Sequence, residues 1–106
     1  MSKEILLVVD AISNEKGVPR EVIFEAVESA LASASRKRFD SQEVSARVKI
    51  DRVTGDYETF RRWTVVDDDA FDNPDSEIPL SEAERRDPPL ALGDVVEEQV
   101  ESVAFG

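Results

Sequence analysis

The sequence predicts an α+β domain: two N-terminal helices packed on a small, mainly antiparallel sheet. Three observations carry this reading. Residues 3–38 place apolar side chains at helical spacing, residues 44–66 alternate apolar and polar, and a β-branched run closes the chain near 95–103. The expected sheet is a hairpin over 44–66, a short edge strand near 77–80 and a final strand near 95–103. One short helix is expected near 81–86.

The first helix is expected from about Lys3 to Lys16, with Ser2 as its cap. Ile5, Val8, Val9 and Ile12 follow i, i+3, i+4, i+7 spacing and form one apolar stripe. Leu6 and Leu7 fall outside the stripe and belong either to a wide buried face or to a second contact surface. Gly17 suits the left-handed position that ends a helix. Pro19 suits the start of the next, where its missing N–H costs nothing. This second helix runs to about Arg38, with Ile23, Val27, Ala30, Leu31 and Ala34 as its apolar stripe. Phe24 lies off the stripe centre, either as core edge or as an exposed anchor. Arg36-Lys37-Arg38 closes the helix and compensates its dipole, or else forms a small phosphate-binding cluster.

In the hairpin, Val44, Ala46, Val48 and Ile50 alternate with Ser45, Arg47, Lys49 and Asp51, which puts one apolar row against a core. Val53-Thr54-Gly55-Asp56 supplies the turn, and Tyr57, Phe60, Trp63, Val65 and Val66 mark the return strand. Phe60 and Trp63 are three apart, so a regular strand would point them to opposite faces. A β-bulge at Arg61-Arg62 would bring both rings to the core and leave both arginines outward.

Beyond Val66 periodicity fades. Consecutive carboxylates at Asp67-Asp68-Asp69 diverge on an extended chain and define no metal-ligand spacing. Pro79 restricts Glu77–Leu80 to a sheet edge, Ser81 is placed to cap a helical turn over Glu82–Arg86, and Asp87-Pro88-Pro89 stops it. Leu90-Ala91-Leu92-Gly93-Asp94 reads as a tight approach to the last strand.

Composition narrows function. The chain has 106 residues, no cysteine and no histidine, so it lacks thiolate chemistry and the commonest general base and metal ligand. No pair of acids is set up for a carboxylate hydrolase, and a non-enzymatic role without cofactor or metal is expected. No apolar run is long enough to span a membrane, and a cytoplasmic monomer is expected. The net charge of −11 is uneven: residues 1–66 are neutral, with eleven Lys/Arg against eleven Asp/Glu, and the whole excess lies in residues 67–106. As one body the domain should repel nucleic acid.

Several blocks carry a resemblance. Ile12–Lys16, Val18–Glu21, Ile23–Ala32, Val48–Arg52 with Gly55, Thr59–Trp63 and Leu92–Ser102 resemble, in collinear order, the start of the bacterial transcription factor NusA. The stretch from Asp69 to Pro89 departs most from that pattern. The resemblance implies the N-terminal domain of an elongation, termination and antitermination factor. Such a domain docks at the flap tip of the RNA polymerase β subunit, near the RNA exit channel, and promotes pausing and nascent-hairpin formation. It implies a single domain over 1–106, excised from the S1 and KH modules that bind single-stranded RNA. Leu6, Leu7 and Phe24 then become candidates for the polymerase contact. Arg36, Lys37 and Arg38 become candidates for weak phosphate contact with a nascent RNA hairpin, since tethering raises effective concentration. The alternative is a generic acidic protein-interaction or dimerisation module.

Overall fold

The computed structural model describes residues 3–39 and 44–105. Two helices, α1 (Lys3–Lys16) and α2 (Arg20–Lys37), precede strands β1 (Ser45–Ile50) and β2 (Tyr57–Val66). A 3₁₀ turn at Asp68–Ala70, strand β3 (Glu77–Pro79), the short helix α3 (Leu80–Ala83) and strand β4 (Val95–Val100) complete the chain. The expected α+β class and element order are both present. The Ser2 cap lies outside the described residues.

The long strand β2 is the axis of the sheet. It pairs antiparallel with β1 and β4 and parallel with β3. Alternate backbone groups of a strand point to opposite edges. Thr64 N–H bonds Ser76 O, whereas Val65 N–H bonds Asp94 O. β3 therefore continues the edge that β1 leaves, and β4 runs along the other. At the hairpin turn Gly55 takes φ +80°, a left-handed conformation that favours glycine. Asp51 accepts the N–H groups of Val53 and Thr54 there.

The bulge expected at Arg61-Arg62 is absent. Register runs unbroken from Ser45↔Arg62 to Ile50↔Tyr57 on one side and from Thr59↔Val100 to Thr64↔Val95 on the other. Pleating therefore sends Phe60 and Trp63 to opposite faces. Trp63 joins the helix-covered face with Thr59, Arg61 and Val65, while Phe60 and Arg62 lie on the open face. Both rings are accommodated because guanidinium groups cover them: Arg47 lies 4.8 Å from the Phe60 ring centroid and Arg61 lies 4.7 Å from that of Trp63. Arg61 does not point outward. It is held between Trp63 and Phe39 and reaches the Asp75 carboxylate at 3.4 Å.

Two cores lie along the helix-covered face. The larger joins Ile5 and Val9 of α1, Ile23, Phe24 and Leu31 of α2, and Val48 and Ile50 of β1. The smaller joins Val65, Ile78 and Ala83, with Trp63, Leu80 and Leu90 packed beside them. The two cores account for the elongated body of 51 × 27 × 24 Å. The apolar stripes were only partly right. Val8, Ile12, Ala30 and Ala34 are exposed, and Phe24 is buried at 1 % exposure. Phe24 displaces the small alanines from the core because only its larger surface gains enough by leaving water.

Two further boundaries differ. Strand β4 stops at Val100, short of the expected 103. Residues 101–105 instead form an extended strap: Tyr57 donates to Val103 O, the Thr59 and Ser102 hydroxyls meet at 2.7 Å, and Val103 and Phe105 pack against the larger core. Helix α3 is not capped by the Ser81 hydroxyl. The Asp68 carboxylate, thirteen residues earlier, accepts the Ser81 N–H at 2.9 Å. That bond, favoured by the helix dipole, holds Asp68 below its ordinary pKa of 3.8.

Two outcomes follow. Phe24→Ala should cost about 3–5 kcal/mol in chemical denaturation, the range for a buried aromatic. Asp68→Ala should melt at a lower temperature than the parent near neutral pH. Because the folded-state pKa of Asp68 is depressed, its contribution is present above 3.8 and is lost as pH falls through the folded-state value. The two melting curves should converge in strong acid.

Candidate partner-binding surface

Helix α1 turns about 100° per residue, so the buried Ile5 and Val9 fix its remaining faces. Val8 and Ile12 lie on one flank, at 37 % and 36 % exposure. Leu6 lies on the other flank, half-buried against the larger core. Leu7 points away from the core and is 68 % exposed. The resemblance-based trio therefore divides: Leu6 packs inward, Leu7 stands alone in solvent, and Phe24 is covered. Phe24 is not an exposed anchor because Arg20 and Arg52 close over its ring at 5.5 and 4.8 Å.

An open apolar groove lies elsewhere. Ile12 of α1, Val22, Ala26 and Ala30 of α2, and Ala104 and Phe105 of the strap line a cavity of about 430 Å³. Alanines at 26 and 30 leave it open because they end at Cβ, while Val22 at its rim is 53 % exposed. The signal was present in the sequence: Val22, Ala26 and Ala30 repeat every four residues, one position before Ile23, Val27 and Leu31. Such a stripe beside a core stripe widens the apolar face beyond what one core can cover. A groove of this chemistry can receive the apolar side of an amphipathic helix.

The basic cluster is partly committed. Arg36 bonds the Ser33 hydroxyl at 3.0 Å and is half-buried. Arg38 donates to Glu101 O at 3.1 Å and lies 4.0 Å from the Glu101 carboxylate. Lys37 is exposed. On the open sheet face Arg47 forks both oxygens of Glu97, and Arg62 Nε approaches the same carboxylate at 3.0 Å without hydrogen-bond alignment. The Arg47 bonds hold the Glu97 carboxyl below its usual range. Asp67 caps the local Asp69 N–H and Asp68 the distant Ser81 N–H, and no cluster placed to hold a metal occurs among the described residues. No helix among the described residues is long and apolar enough to cross a membrane.

The NusA N-terminal domain family model matches residues 4–106. The chain belongs to the NusA N-terminal domain family. It is 40 % identical over 106 residues to the transcription termination/antitermination protein NusA of Bacillus subtilis and 37 % identical to that of Halalkalibacterium halodurans. Both alignments cover all of this chain but only 28 % and 27 % of those relatives, so the chain spans little more than a quarter of their length. The solution structure of the NusA N-terminal domain from B. subtilis superposes with a TM-score of 0.69 at 39 % identity, covering 95 % of this chain and 79 % of that one. The NusA family is one of transcription factors and not of enzymes.

The groove assignment predicts a contrast in stability. Leu7→Gln and Val22→Gln should each change the unfolding free energy by less than about 0.5 kcal/mol, whereas Ile23→Ala should cost about 2–5 kcal/mol in guanidinium denaturation.

Proposed function

We propose that this domain docks RNA polymerase at the flap tip of the β subunit, near the RNA exit channel, and from there modulates pausing and nascent-hairpin formation. It acts as a cytoplasmic monomer in transcription elongation, termination and antitermination. The observation that carries this reading is the apolar groove between Ile12, Val22, Ala26 and the strap, joined to family membership. A short amphipathic helix would lay its apolar side there, and the alanines would let its backbone approach closely. Leu7 lies away from this groove and would serve only a partner that wraps α1. Lys37 and Arg36, at the end of α2, would offer weak phosphate contacts to emerging RNA. Arg38 contributes less because Glu101 engages it.

The test is titration of the isolated β flap into the isotope-labelled protein. Shifts should concentrate at Ile12, Val22, Ala26 and Ala30, and Ala26→Asp should weaken binding at least about tenfold, since it buries an unpaired charge. Shifts confined to residues 67–94, or an unchanged affinity for Ala26→Asp, would overturn the groove assignment. Self-association through the groove, seen as concentration-dependent mass in sedimentation, would favour a dimerisation module. Neutralising Arg36 and Lys37 should shorten hairpin-dependent pauses by about 2- to 5-fold while polymerase binding persists.

A further inference from the structure

Four of the domain's arginines are held in one repeated way, each by an aromatic ring and a carboxylate. Arg20 has Phe24 and Asp10, Arg47 has Phe60 and Glu97, Arg52 has Phe24 with Glu21 and Glu28, and Arg61 has Trp63 with Asp75. A planar guanidinium suits both partners, stacking on the ring and forking the carboxylate.

One cavity adds a ring that no guanidinium covers among the described residues, Phe71, and unengaged carboxylates to Trp63, whose ring already carries Arg61 at 4.7 Å. It measures about 250 Å³ and lies over the smaller core, walled by Trp63 and Phe71 and rimmed by Glu77, Glu82 and Glu98. Phe71 is 36 % exposed. Glu77 spends one oxygen on the Asp72 and Asn73 N–H groups. Glu82 and Glu98 have no side-chain partner among the described residues. Arg86 stands at the rim but makes no ring contact and no ion pair among the described residues, so it does not fill the place. Three carboxylates against one arginine leave the rim negative, within the part of the chain that carries the whole excess of −11.

We infer that this cavity binds an arginine side chain presented by a partner protein, its guanidinium stacked on Phe71 beside the Arg61-covered Trp63 and paired with Glu82 and Glu98. The site shares no lining residue with the apolar groove and has its own chemistry, so it stands or falls independently of the flap-docking reading. It also gives the acidic segment a role in recognition: Phe71, Glu77 and Glu82 all come from residues 67–94.

The chain has one tryptophan, and it lies in this cavity. A capped tripeptide with a central arginine is titrated into the protein, followed by Trp63 fluorescence and by the shift of its indole N–H. The expected result is a saturable change that weakens with salt and is lost when citrulline, a neutral isostere, replaces arginine. Glu82→Gln, Glu98→Gln and Phe71→Ala should each weaken binding by about 2- to 5-fold, as expected for exposed ring and ion contacts. Val22→Asp, in the apolar groove, should leave it unchanged. Equal binding of the citrulline peptide, no saturable Trp63 response at millimolar peptide, or affinity unchanged by the two glutamine substitutions would each overturn the assignment.

Discussion

Arg52 leaves the end of β1 and reaches back across helix α2. Its guanidinium bonds both oxygens of Glu21 at 2.6 and 3.0 Å and Glu28 Oε2 at 2.6 Å. Glu28 also accepts the Ile50 N–H at 2.9 Å, a group on the edge of β1 that no strand pairs. The guanidinium carbon lies over Phe24, 4.8 Å from its ring centroid. The Arg52–Glu28 pair thus ties helix to sheet, satisfies an edge strand and covers the largest fully buried ring. The Glu21 and Glu28 bonds push the Arg52 pKa well up, and the Arg52 bond holds Glu21 below its usual range. Charge-assisted bonds of this kind are favourable here because the pairing is forked and half-shielded, unlike most exposed ion pairs.

The same logic extends along the sheet and joins the two halves of the charge distribution. Glu97 of the acidic part engages Arg47 and Arg62 of the neutral part, Asp75 engages Arg61, and Glu101 engages Arg38. The acidic segment is therefore no independent tail. Its carboxylates neutralise arginines that cover Phe60, Trp63 and Phe39, and the ring–guanidinium layers let a sheet with aromatics on both faces remain regular. A bulge was unnecessary once both rings had cover.

The functional surfaces arise from what this packing leaves over. Helix α2 supplies three stripes: the core stripe, the carboxylates that hold Arg52, and the small residues at 26 and 30. The strap from 101 to 105 completes the groove, and it is held there by Tyr57 and Thr59 of the central strand. Groove shape and sheet packing are thereby coupled through β2. The smaller core, built on α3 and β3, presents a second surface of opposite character, aromatic and acidic.

Much of the fold was legible from local pattern. Period 3.6 located α1 and α2, period 2 located β1, and Pro79 confined β3 to three residues at an edge. These features depend on neighbours in sequence, so the sequence by itself determined them, together with the family its collinear blocks resemble. Phe24, the register of Trp63, the Asp68 cap and the groove depended on partners 13 or more residues away or on which stripe another element happened to cover. Helical spacing cannot rank Phe24 against Ala30, because both lie within one wide face. Only the tertiary structure decided between them, since burial goes to the side chain that gains most from leaving water where a guanidinium can close above it.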